Sequence, residues 1–280
     1  MDELLRELPP VGRMRAWRLY ARNGDRFLDL RFLDGAGFIG AKGRLAGTWA
    51  KNALDRALLK PAPDAYQGRL ERELAKKGGE GARAFLFRDC EKALAAWSRA
   101  AAAEIRRESL FDPALRSTVA PQDAPGAVDR PFAGGAALMA LAAAPVLLCP
   151  PALPGPLGCA GLVVRAGRGE SEAGLAARIK GEVLEGVSTF PSQRALDDRE
   201  LMARDYSDAL YRKVDRRLAP FFERRGPFLY ARVEGAEAYA AFRRKALEGG
   251  ALLSAGFEEP SIVPLDVDDG ELAKLAKALA

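Results

Sequence analysis

Between residues 67 and 107 the chain switches between helical and strand periodicity, and this switching constrains the fold more than any other feature. Gln67 to Lys77 carries Leu70 and Leu74 at helical spacing and is stopped by Gly78-Gly79. Ala84 to Phe87 is a short apolar run of strand character. Cys90 to Arg107 is rich in alanine and places Leu94, Trp97 and Ile105 at helical spacing. Two further apolar runs, Pro145 to Cys149 and Gly161 to Arg165, read as strands joined by the turn-rich PPALPGPLG. Helices alternating with short apolar strands can bury their faces only by packing on a common sheet, so the fold class is α/β. With 280 residues and 49% hydrophobic content the chain can fill one large core, or one medium and one small.

The flanks follow other patterns. Residues 18–32 contain Asn23-Gly24, a two-residue hairpin signal, because both positions tolerate positive φ. A glycine-rich link runs from Asp34 to Gly43, and Trp49, Ala53, Leu54, Ala57 and Leu58 then recur at helical spacing. Residues 109–135 hold Pro113, Pro121, Pro125 and Pro131 and read as an extended connection. Glu172 to Leu184 reads as a helix. Asp198 to Phe222 reads as one long helix with Leu201, Tyr206, Leu210, Val214 and Leu218 on one side. Pro227 to Arg232 is a strand, Glu237 to Leu247 a helix stopped by Gly249-Gly250, and Leu252-Leu253 and Ser261 to Leu265 are short strands. Asp269 is the expected cap of a final helix. The expected division is a large domain over 1–195, which includes the N-terminal hairpin, and a C-terminal α+β domain over 196–280.

Composition removes several chemistries. The chain has no histidine. That excludes Ser-His-Asp and Cys-His catalysis and any histidine metal site. Cys90, Cys149 and Cys159 include no CxxC pair and read as buried reduced thiols, so no metal ligand set is assigned. The net charge of +5 comes from arginine pairs such as Arg106-Arg107 and Arg243-Arg244. These pairs are interleaved with acids, a pattern that suits solvated helix faces better than a nucleic-acid stripe. No apolar run reaches the roughly 18–20 residues of a membrane span. The start MDELLRELPP lacks a secretory pattern, so the expected compartment is cytoplasmic.

Three stretches resemble the fold-type I, pyridoxal-phosphate (PLP)-dependent aminotransferases, class III most of all. They are WRLYARNGDRFLDLRFLDGAGFIGAKG, RLERELAKKGGEGARAFLFRDCEKALAAWSRAA and AYAAFRRKALEGGALLSAGFEEPSIVPLDVDDGELAKLAKAL. The resemblance implies a truncated PLP-transferase-like large domain with a mixed sheet, a C-terminal α+β small domain, and a homodimer. It also implies four functional parts: a Schiff-base lysine, an aspartate against the pyridine nitrogen, a turn of small residues holding the phosphate at a helix N-terminus, and a substrate-binding arginine.

This sequence departs from that pattern at each part. The phosphate turn falls on Arg88, Asp89 and Cys90. An Asp89 carboxylate would repel a phosphate dianion by several kcal/mol at ~4 Å and an effective dielectric of about 20. The same residue makes a good helix N-cap. No lysine lies between Lys92 and Lys180. Lys180 and Lys42 are the candidates left, and each reads more simply as a solvated side chain. Asp112, Asp123 and Asp129 fall in the proline-rich connection and follow no apolar strand, and no arginine stands near EEPSIVPLDV. The carboxylate groups Asp197, Asp198, Glu200 and Asp266, Asp268, Asp269 read as helix-start charges before they read as cation sites.

The expectation is an aminotransferase-like protein without a recognisable Schiff-base lysine or phosphate cup. It would serve as a non-catalytic binding protein with no cofactor, either as a homodimer or with another protein as partner. The alternatives are an active PLP enzyme with a divergent site and a nucleic-acid binder.

Overall fold

The hairpin turns through three residues, Arg22 to Gly24, rather than the expected two, because Gly24 alone of the Asn23-Gly24 pair takes positive φ and the Ala21 amide closes on the Asp25 carbonyl. Gly24 takes φ +92°, and the Asn23 side-chain oxygen accepts the Asp25 amide at 3.1 Å. The structure, a computed structural model, describes residues 4–15, 17–31, 44–62, 65–105, 126–129, 144–153, 157–165, 170–204, 207–257, 259–264 and 267–280. They fall into two compact units. One unit joins Met1–Leu33 to Asp205–Ala280, and the other is Asp34–Arg204.

In the first unit a short helix α1 (Leu4–Glu7) precedes strands β1 (Val11–Arg15), β2 (Arg18–Ala21) and β3 (Arg26–Asp29), which are antiparallel neighbours. β10 (Ala251–Leu252) adds in parallel to β3. The amides of Leu28 and Leu30 donate to Gly250 and Leu252, and the Ile262 amide donates to Leu30. These ladders explain why the N-terminal hairpin groups with the C-terminal residues, where the sequence suggested boundaries at 1–195 and 196–280. Helices α7 (Arg212–Leu218), α8 (Gly235–Glu248) and α9 (Asp269–Leu279) share a core that includes Val214, Leu218, Ala246, Leu272 and Leu275. β8 (Phe222–Arg225) and β9 (Phe228–Ala231) form a hairpin, and β11 (Ser261–Ile262) pairs with β9.

The second unit is built on a mixed sheet of β4 (Arg83–Phe87), β7 (Ala160–Val164), β6 (Val146–Cys149) and β5 (Ala127–Val128), in that spatial order. β4 and β6 both run antiparallel to β7, while β5 and β6 are parallel. Alternation assigns the two faces. Phe85 and Phe87 join Ala93 and Trp97 of α4 (Cys90–Ala101) on one side. Leu86, Leu147 and Val163 join Leu70 and Leu74 of α3 (Ala65–Lys76) on the other. A Cβ on Gly161 would come within 2.6 Å of Leu74 Cδ1, so α3 sits this close to the sheet only over a glycine. α2 (Arg44–Asp55) packs on α6 (Gly186–Arg204), with Trp49 and Phe190 stacked at 4.3 Å between ring centroids. α5 (Glu170–Arg178) comes between β7 and α6 in the chain.

Four element expectations are corrected. α4 ends at Ala101 rather than Arg107, because Ala102 turns left-handed at φ 52°. α5 ends at Arg178, and residues 179–184 leave the helix, with the Glu182 amide bonded to the Leu86 carbonyl of β4. The long helix over Asp198 to Phe222 does not exist. α6 ends at Arg204, Ser207 accepts the Ala209 amide to start a 3-10 turn over Asp208–Tyr211, and α7 follows. Pro220 and the Arg225-Gly226-Pro227 turn, with Gly226 at φ 60°, convert the expected helix end into a hairpin. The final helix is capped by Asp268, with Asp269 its first helical residue.

Candidate functional site

β4 delivers the chain to the edge of the sheet, and the turn Arg88-Asp89-Cys90 begins α4 there. Asp89 is the N-cap, and its Oδ1 accepts the Lys92 amide at 2.8 Å. The Arg88 amide donates to Glu182 Oε2 at 2.7 Å, and Lys92 Nζ stands 3.1 Å from Glu182 Oε1. Arg88 Nη2 donates to both Glu185 oxygens, at 2.6 and 2.7 Å. The hydrogen bond from Arg88 holds the Glu185 carboxyl below its ordinary pKa, and Glu185 raises Arg88 in return. Cys90 is buried against the α4 face of the sheet. Three carboxylates therefore take donors at the position of the expected phosphate turn.

The neighbouring strand ends complete the sheet edge. Cys149 closes β6, the connection reads PPALPGPLGC, and Cys159 precedes β7. Cys149, Pro150, Ala152, Cys159, Ser192 and Leu196 line a cavity of ≈ 10 Å³, room for about one water. Burial pushes the Cys159 thiol up to about 12 against the opposing hydrogen bond of Ser192, so this thiol is neutral and unreactive. Asp129 corrects the sequence reading. It directly follows the buried strand β5, donates its own amide to the Leu148 carbonyl at 2.7 Å, and pairs with Lys77 Nζ at 2.9 Å. A two-residue strand between proline-rich flanks carries too little periodicity to be seen in the sequence.

Of the remaining candidates, Lys180 is exposed in the stretch after α5, one residue before the Gly181 that approaches β4 at Leu86. Lys42, Asp112, Asp123, Asp266 and the side chain of Glu200 lie outside the described residues. Asp197 pairs with Arg194 at 3.1 Å, and Asp198 accepts the Ala46 amide at 3.0 Å. Asp269 is held between Arg216 and Arg217, which keep its carboxyl far below the ordinary range. Among the described residues no group of three or more metal-ligating side chains comes together.

Glu182, Glu185 and the buried polar run of α6 escaped the sequence reading. Glu182 and Glu185 lie 94 and 97 residues from their Arg88 partner, and no local pattern links them. Ser188, Thr189, Ser192 and Gln193 are all buried, and Thr189 Oγ1 and Gln193 Oε1 make no hydrogen bond. Four polar residues within the six positions 188–193, between apolar neighbours, were the available signal.

PLP can be tested directly against these residues. Its phosphate would sit at the α4 N-terminus, where Asp89 takes the Lys92 amide and Glu182 takes the preceding Arg88 amide. Its aldehyde needs an amine, and the β6–β7 connection contains no lysine. Lys77 and Lys92 stand in ion pairs with Asp129 and Glu182. The carboxylates at the turn before α4 do not fit the cofactor's phosphate.

No protein-family model matches the chain, and no curated protein matches its sequence. Solved structures do match. N-acetylornithine aminotransferase from Stenotrophomonas maltophilia superposes with a TM-score of 0.62 at 18% identity, covering 100% of this chain and 97% of that one. Ornithine δ-aminotransferase from Plasmodium falciparum gives 0.61 at 11% identity, covering 96% and 91%. Ornithine aminotransferase from Toxoplasma gondii gives 0.58 at 14%, covering 97% and 89%. Identities this low carry the architecture and nothing finer. The chain has an aminotransferase-like, PLP-transferase fold with a mixed α/β sheet, in compact form.

Proposed function

We propose that this protein uses an aminotransferase-like scaffold for binding, as a homodimer or with a protein partner, and does not transaminate. The observation that carries the reading is the closed turn before α4, where Asp89 takes the Lys92 amide and Glu182 takes the Arg88 amide. A phosphate dianion would have to displace two carboxylates from their donors and sit against their charge. The lysine-free link from Pro150 to Gly158 supports the same reading.

The test is a titration of purified protein with PLP, followed by visible absorption. The expected result is the spectrum of free PLP at every concentration. A saturable absorption shift that Lys180→Ala or Lys42→Ala abolishes would establish the opposite. Light scattering tests the homodimer separately, with twice the 30.1 kDa chain mass expected.

One observation favours the second reading, a working PLP enzyme with a divergent site. Asp129 ends a buried strand at the sheet edge, as an aspartate facing a pyridine nitrogen should. Its pairing with Lys77 is the counterweight. The PLP titration decides between the two readings.

A further inference from the structure

We propose that Glu182 is an internal latch, a positioning residue whose carboxylate occupies the donors of the β4–α4 turn and ties residues 179–185 across the end of β4. The inference rests on the non-catalytic reading above and gives it a physical device.

Several contacts bring Glu182 to this place. The Glu182 amide donates to the Leu86 carbonyl at 2.8 Å, so backbone and side chain of one residue grip the same free edge of the strand end. Gly181 makes the approach possible, since a Cβ there would stand 3.2 Å from both Leu86 N and Leu86 O. Gln67 of α3 holds the stretch from behind. Its Nε2 donates to the Glu182 carbonyl at 2.9 Å, and its Oε1 accepts the Leu184 amide at 3.1 Å. Glu185 then anchors the far end through Arg88, and the Val187 amide bonds to the Leu58 carbonyl.

The chemistry follows from the donors. The Arg88 amide, the Arg88 guanidinium and the Lys92 ammonium form a cationic corner at the start of a helix. Such a corner needs a counter-anion. Glu182 and Glu185 supply it from within the chain, so no dissolved anion is required to complete the turn.

Amide hydrogen exchange on the full chain tests the latch. In Glu182→Ala the Arg88 amide should exchange roughly tenfold faster than in wild type, with Glu182→Gln between them. The Glu271 amide in α9 should keep its wild-type rate, which separates local release from global unfolding. Gly181→Ala offers a second route to the same release without touching a charge, and it should also speed Arg88 exchange. Millimolar inorganic phosphate should leave wild-type Arg88 exchange unchanged. Equal Arg88 exchange in wild type and Glu182→Ala overturns the latch, and so does slowing of wild-type exchange by phosphate. A PLP adduct on a lysine would overturn the non-catalytic reading alone, so the two failures are distinguishable.

Discussion

Among the described residues two helices begin at an aspartate cap, and they are completed in opposite ways. At α9, Asp268 accepts the Glu271 amide at 2.8 Å and Glu271 returns a carboxylate to the Asp268 amide at 3.1 Å, a capping box closed within four residues. At α4, Asp89 accepts the Lys92 amide, and the Arg88 amide, one residue before the cap, is taken by Glu182 from 94 residues away. The local box needs nothing else to form. The α4 turn is finished only when residues 179–185 have docked on β4. A helix start closed at long range is one that could have been closed by a ligand instead, and here the chain closes it with its own carboxylates.

The two closures also differ in burial, and mutation should expose the difference. Glu271 is 5% exposed and makes a bidentate pair with Arg18, itself 17% exposed, while Arg26 lies 3.2 Å away. Glu271→Ala therefore leaves a nearly buried guanidinium without its partner and should cost about 3 kcal/mol in chemical denaturation. Glu182 is a third exposed, and Glu182→Ala should cost only about 1 kcal/mol. Equal losses would erase the contrast. The caps themselves should behave alike, with Asp89→Ala and Asp268→Ala each losing about 1 kcal/mol of stability.

A smaller effect concerns α6, which packs on α2 and α3. Thr189 Oγ1 is buried without a hydrogen bond, so Thr189→Val should be neutral or raise stability by up to about 1 kcal/mol. A clear loss would mean that a ligand or a second copy satisfies this hydroxyl in solution.

Acid should loosen the Glu185–Arg88 pair late. The folded-state pKa of Glu185 lies below its ordinary 4.5. Its contribution is therefore fully present above the unfolded value and is lost as pH falls through the lower folded value. The Glu185 carboxyl signal followed by NMR should titrate with a midpoint below 4.5. A midpoint at or above 4.5 would contradict the pairing.

Much of this fold was legible, and the reasons are physical. Asn23-Gly24 demanded a tight turn. The spacing of Leu70 and Leu74 gave α3, and the run RAFLF gave β4. Asp89 was recognisable as a cap because capping is a local hydrogen bond. The unseen features are those decided by distant contacts. β5 is two residues long, and Asp129 gained its meaning only from pairing beside β6. The expected helix from Asp198 failed because Ser207, Pro220 and Gly226 each offered the backbone a competing local bond or turn. Glu182 looked like one charge among many, since nothing near it in sequence announces Arg88 or Gln67 as a partner. The hairpin's place with the C-terminal unit likewise depends on β3 and β10 pairing across more than 200 residues of chain.

On the proposed reading, this aminotransferase-like scaffold closes the turn before α4 with its own carboxylates and forms no Schiff base with PLP. Borohydride reduction of protein incubated with PLP, read by intact mass and peptide mapping, tests it most directly. The account predicts no saturable single-site adduct, only scattered labelling of exposed lysines that rises with PLP concentration. A stoichiometric adduct on one lysine, removed by Lys180→Ala or Lys42→Ala, would contradict it.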